Sequence, residues 1–191
     1  HNPEKCNGPH HSGTSHAGLC TPKLMRIMKR IGYSQLDYGL EHWDAGILKR
    51  LGKGATPQLN ANAIKITLDA GIRPVPNQIV GFPEETYETI YTMLDAWEKH
   101  GIVTEPFQLT GYPGSELFTQ FRDEIIRQYN GDLEAFFMDL EDATKPTAVL
   151  TRNFSPAEIV GIQAILKQAA VSGDYMNARR LLKLSQQSHL K

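Results

Sequence analysis

The chain has 191 residues, 40% of them hydrophobic, and its 20 Lys and Arg against 21 Asp and Glu leave a formal net charge of −1. That balance suits one globular domain, or one and a half, and excludes the charge signature of a nucleic-acid or membrane-surface binder. No apolar run reaches the ~18 residues of a membrane-spanning helix, and no basic-then-apolar opening reads as a signal peptide. Two cysteines, Cys6 and Cys20, cannot build a disulfide framework, so a reducing, cytoplasmic setting is expected.

Residues 1–20, HNPEKCNGPHHSGTSHAGLC, are rich in Gly, His, Asn, Ser and Pro without periodicity. They read as a loop or flexible arm, or as a truncation boundary. Cys6, His10, His11, His16 and Cys20 carry zinc-binding chemistry, but at spacings that match no zinc motif. From Thr21 the pattern changes. TPKLMRIMKRIG has a capping Thr, Pro at the first helical position and a closing Gly32. A strand is expected over roughly Gln35 to Leu40, then a short helix in WDAGILKRLGKG. TPQLNANAIKITLDAGI repeats the Thr-Pro start and stops at Gly71, and RPVPNQIVGF reads as the next strand. PEETYETIYTMLDAWEKHG predicts an amphipathic helix, with Tyr87, Ile90, Tyr91, Leu94 and Trp97 at steps of three and four. A third strand and turn, TEPFQLTGYPGS, and the helix ELFTQFRDEIIRQY follow.

Strand–helix alternation over residues 21–130 implies parallel strands with crossover helices. Three such units fall short of a closed eight-unit barrel, so an α/β fold with a partial barrel is expected. Residues 131–191 read as a helical extension, in which Ser155, Pro156 and Glu158 form a capping box.

Three stretches carry candidate chemistry. In NQIVGFPEET a buried strand runs into Gly81 and a tight turn. A glycine at the carboxyl end of a parallel strand admits close approach of a ligand, and ligands collect at that end of such sheets. The bland alternative is a tight strand-to-helix connection in which Glu84 caps the next helix. In DYGLEHWDAGILKRLGKG, Glu41 sits just past a strand and Lys53 follows twelve residues on. A carboxylate and an ammonium on two strand-end loops would grip a zwitterion; alternatively Glu41 is a cap and Lys53 a surface lysine. Asn77 shares a strand face with Ile79 and Gly81, either to hydrogen-bond a sugar hydroxyl or as a core asparagine tied to a loop.

GLE with its lysine twelve residues on, NQIVGFPEET, and TGYPGSELF occur in that order. From about Leu19 to Phe118 the chain resembles the C-terminal half of the catalytic barrel of radical S-adenosylmethionine enzymes. It most resembles the cobalamin-dependent and methylthiotransferase-like group. The resemblance implies a cofactor site. Glu41 would contact the methionyl or ribose part of S-adenosylmethionine, Lys53 its carboxylate and Asn77 its ribose. Ile79, Gly81 and Glu84 fit a Gly-x-Ile-x-Gly-x-x-Glu pattern beside the adenine, with Asn77 replacing the first glycine. The Leu109–Thr110 backbone would lie near the adenine. It also implies a [4Fe–4S] cluster, and leaves open a cobalamin module upstream. The cluster needs a Cys-x3-Cys-x2-Cys loop that this sequence lacks, so a fragment inactive by itself is expected, with no catalytic residue or metal ligand of its own.

Two other readings stand beside it. One is a non-catalytic α/β binding or scaffold module, self-associating through an exposed sheet edge. The other is a cofactor-free lyase or aldolase, for which only Glu41 and Lys53 are placed. The expected partner is a small-molecule cofactor, with an unknown substrate and neither membrane nor nucleic acid.

Overall fold

The computed structural model describes residues 10–141 and 147–189. Four parallel strands stand in the order β1 (His11–Ser15), β2 (Tyr33–Glu41), β3 (Arg73–Val80), β4 (Phe107–Gln108). The helices α1 (Pro22–Arg30), α2 (Ala45–Arg50), α3 (Pro57–Asp69), α4 (Tyr87–His100) and α5 (Glu116–Gln128) alternate with them. A helical tail of α6 (Leu133–Asp139), α7 (Pro156–Ser172) and α8 (Tyr175–His189) follows. This is a half-barrel with a helical extension.

Helix starts follow local chemistry. Thr21, Thr56 and Ser155 each accept a backbone N–H of the first turn and are each followed by proline. β3 tolerates Pro74 and Pro76 because β4 pairs only with Ile79 and Val80, leaving the rest of that side without a strand neighbour among the described residues.

Part of the expected arm is ordered: His11–Ser15 form β1, which pairs in parallel with β2, and Ala17–Leu19 form a 3-10 turn, while residues 1–9 of that stretch lie outside the described residues. The stretch HSGTS has no apolar alternation because β1 is an edge strand, held by its ladder and not by a buried face. The strand at Phe107 is shorter than TEPFQLTGYPGS suggests. The long helix begins at Tyr87, not at Pro83, because Thr86 and Thr89 form its capping box.

The core lies between sheet and helices. Leu36, Tyr38, Leu40 and Val80 point outward against Met25, Ala63, Ile64, Ile90, Met93, Leu94 and Trp97. Each fully buried side chain of this size contributes about 1.5–3 kcal/mol. Trp97 donates its indole N–H to the buried Gln78 carbonyl, pinning α4 to β3. The helical tail joins the same core through Ile159, Ile162, Leu166 and Leu182. Tyr87 and Ser185 hydroxyls lie 2.8 Å apart, and Arg179 binds Asp95 and Glu98 at 2.6 Å each.

Candidate functional site: the strand-end rim

Covering one face of the sheet leaves the other face concave and polar. Partners across a parallel ladder share a face. Ser12, Gln35 and Arg73 are in register, as are Thr14, Asp37 and Val75, and Gly39 with Asn77. These residues are half-buried or exposed, whereas the alternate positions Leu36, Tyr38, Leu40, Pro76, Gln78 and Val80 are buried. Asn77 and Ile79 therefore face the concave side together.

At the carboxyl end of β2 the alternation breaks. Glu41 has φ 61, and the register against β3 shifts between Gly39 and Glu41. The side chain turns back over the strand, so that a Cβ added at Gly39 would meet Glu41 Oε1 at 2.9 Å. Lys53 donates to that same carboxylate oxygen. The Glu41 side chain is 9% exposed and that of Lys53 52%, so the carboxylate is set into the wall and the ammonium reaches in from solvent. Gly52 and Gly54, with φ 67 and 66, make the turns that bring Lys53 back to the rim. The three residues Glu41, Lys53 and Asn77 thus come to one rim, Asn77 standing opposite the glycine over which the carboxylate lies.

At the end of β3, Gly81 has φ 93, a conformation that disfavours any side chain, although a Cβ would find only ordinary contacts with Gln108 and Leu109. Its N–H is held by Glu85 Oε2 at 3.0 Å. Glu84, the carboxylate singled out from the sequence, instead faces outward and pairs with Arg50 at 3.2 Å. Glu84 does not cap α4; Thr86 does. Two adjacent glutamates cannot be told apart by pattern; which one enters the wall depends on how the Phe82–Pro83 turn is wound.

Glu85 is wholly buried, as is His42, whose Nε2 lies 3.0 Å from Glu85 Oε1. The Thr89 hydroxyl donates to the same oxygen at 2.7 Å. This buried pair is absent from the sequence reading. The only signal for it is a polar residue, His42, directly after GLE, where the chain gives no periodicity.

Between α2, the Phe82–Glu84 turn and α5 lies a groove of about 420 Å³ lined by Ile47, Leu51, Phe82, Leu109 and Leu117, with Arg50 and Glu84 at its lip. Leu109 donates its N–H to Val80 O at 2.8 Å and sends its side chain into this groove. Thr110 points elsewhere: its hydroxyl meets Thr147 Oγ1 at 3.1 Å.

Among the described residues, the N-terminal histidines and Cys20 do not converge. His16 Nδ1 caps the 3-10 turn, His11 packs on Tyr33, and Cys20 lies against Ala63 O and Thr67; Cys6 is outside the described residues. Tyr38 donates to Cys20 Sγ at 3.4 Å, and burial pushes the phenol well above its ordinary range, keeping it a donor. Among the described residues no group of three or more His, Cys, Asp or Glu side chains is assembled to hold a metal, and no helix is long and apolar enough to cross a membrane.

Residues 3–97, which include the strand-end rim, match the sequence profile of the Radical SAM superfamily. The chain belongs to this superfamily. An uncharacterized methyltransferase of Pyrococcus horikoshii is 31% identical over 108 residues, which are 56% of this chain and 24% of that protein. The radical SAM chain therefore spans about a quarter of the length of the curated relative it matches. Among solved structures, the radical S-adenosylmethionine methyltransferase TsrM of Kitasatospora setae, with cobalamin and a [4Fe–4S] cluster bound, superposes with TM-score 0.53 at 14% identity. The match covers 61% of this chain and 24% of that one. Coproporphyrinogen III oxidase HemN of Escherichia coli, also a radical SAM enzyme, gives TM-score 0.51 at 12% identity over 68% and 32% of the two chains. At such identities the likeness is one of fold.

Proposed function

We propose that this chain supplies the S-adenosylmethionine-holding rim of a radical SAM enzyme. The observation that carries the reading is the Glu41–Lys53 pair, set over Gly39 beside Asn77 at the carboxyl end of the sheet. S-Adenosylmethionine, when bound, supplies the 5′-deoxyadenosyl group of the family's radical chemistry.

The chain's own residues bind and orient it. Glu41 accepts from the methionyl ammonium and Lys53 donates to the methionyl carboxylate, so one pair of opposite charges matches both ends of a zwitterion. Asn77 hydrogen-bonds the ribose. Ile79, the Gly81 and Thr110 backbones, and Leu109 with its apolar groove take the adenine side. Glu84, at the groove's lip, keeps water-facing contact with Arg50.

The [4Fe–4S] cluster does not fit these residues: two cysteines fall short of three thiolates, and Cys20 is engaged with Ala63, Thr67 and Tyr38. Its ligands, and any cobalamin module, then belong to parts of a cytoplasmic enzyme outside these 191 residues. This chain alone is then inactive.

The test is an NMR titration of the chain with S-adenosylmethionine, beside Glu41→Gln and Lys53→Met. A charge-assisted hydrogen bond contributes about 1.5–3 kcal/mol, so each variant is expected to bind about 10–100-fold more weakly. Wild-type affinity in both variants refutes the reading.

A second reading, a self-associating scaffold, rests on β1 standing at the end of the sheet with one side free of a strand among the described residues. A monomeric mass by light scattering at high concentration removes it.

A further inference from the structure

The turn at Glu41 is strained. His42 N–H donates to Leu40 O at 2.7 Å, an i→i+2 bond around a residue with φ 61. That is the γ-turn of the unfavourable hand, rare for any residue and worse for one with a side chain. Strain of this kind persists only where the surroundings over-determine it, and it concentrates at functional sites.

The surroundings here are wholly buried polar side chains. Asn60 of α3 donates from Nδ2 to both carbonyls flanking the turn, Leu40 O and His42 O, at 3.1 Å each. His42 Nδ1 accepts the Asp44 backbone N–H at 2.8 Å. A backbone N–H can only donate, so Nδ1 carries the lone pair and the imidazole proton sits on Nε2. That Nε2–H donates to Glu85, whose carboxylate also accepts from Gly81 N–H and the Thr89 hydroxyl. The Glu85 backbone carbonyl is held in turn by Asn153 Nδ2 at 2.8 Å. The imidazole therefore works as a fixed two-ended link. One end ties to the turn after β2, the other to the carboxylate that sets the end of β3. Its ring also meets Phe82, a wall of the groove, edge-on.

We propose that His42 is a positioning residue for the cofactor. As a neutral Nε2–H imidazole it holds the strained turn that folds the Glu41 carboxylate over Gly39 toward Lys53. Its effect on S-adenosylmethionine is transmitted through Glu41. This rests on the rim being the S-adenosylmethionine site, and the two are tested apart.

The experiment is a set of paired substitutions in the full chain. His42→Gln keeps an amide donor for Glu85 and removes the acceptor for Asp44 N–H, so it is gentler than His42→Ala; circular dichroism verifies the fold. The first arm needs no ligand. With His42 present, Glu41→Gly should unfold at higher urea than Glu41→Ala, because glycine relieves the turn. With His42→Gln the turn relaxes and the order should revert, alanine above glycine. An order unchanged by His42→Gln overturns the link. The second arm is the affinity for S-adenosylmethionine by NMR titration. His42→Gln should weaken binding about 10-fold when Glu41 is present and less than about 2-fold in the Glu41→Gln background. Equal losses in both backgrounds overturn the positioning role. Absence of binding to the wild-type chain while the first arm holds refutes the rim as the cofactor site and leaves the His42 link to the turn standing.

Discussion

Replacing Glu41 by glycine and by alanine should give an inverted stability order. Alanine normally beats glycine, because glycine gains more freedom on unfolding, by about 0.4–1 kcal/mol. At φ 61 the comparison changes. A left-handed backbone costs a residue with a Cβ about 1–2 kcal/mol, and glycine nothing. Both substitutions delete the Lys53 partner and the contact over Gly39, so those losses cancel in the difference. The net is about 1 kcal/mol in favour of glycine. With a urea slope near 2 kcal/mol/M, that is a midpoint about 0.5 M higher for Glu41→Gly than for Glu41→Ala. Parallel urea titrations followed by circular dichroism read it directly. An alanine variant at or above the glycine variant would mean the turn holds no strain, and the reasoning from Glu41 to His42 would go with it.

Two further outcomes follow from other residues. Gly39→Ala puts a Cβ at 2.9 Å from Glu41 Oε1, the end of a flexible side chain, so stability should move by less than about 0.5 kcal/mol. The carboxylate is displaced, however, and affinity for S-adenosylmethionine should fall about 10-fold by NMR titration; unchanged affinity refutes the place given to that carboxylate. His100 stacks on Trp43, and burial, with Lys99 beside it, lowers its pKa from 6.5. The unfolded chain then takes up the proton first, so this group's effect is a loss of stability as pH falls through 6.5, levelling off below the folded value. His100→Phe keeps a ring on Trp43 and should flatten that part of the urea-midpoint profile between about pH 5 and 8; an identical slope in both proteins counts against it.

The sequence determined the elements whose signal is local. Thr-Pro and Ser-Pro starts, glycine stops and the apolar spacing from Tyr87 to Trp97 set most helices within a few residues, because capping and periodicity act over one or two turns. The strand–helix alternation determined the parallel sheet for the same reason. It also brought Glu41, Lys53 and Asn77 into view, since strand ends can be counted. Tertiary structure alone decided the rest. His11–Ser15 became a strand only by pairing with β2, a contact that no local pattern encodes. Glu85 and not Glu84 entered the wall, because the Phe82–Pro83 turn aims one of two neighbouring carboxylates inward. Thr110 was drawn to Thr147, a residue 37 positions away. His42 became a link between two strand ends because Asn60, Asp44 and Glu85 surround it, and those come from three different segments of the chain. A hydrogen-bond network among residues far apart in sequence has no one-dimensional period; it exists only once the backbone has brought its donors and acceptors to within about 3 Å.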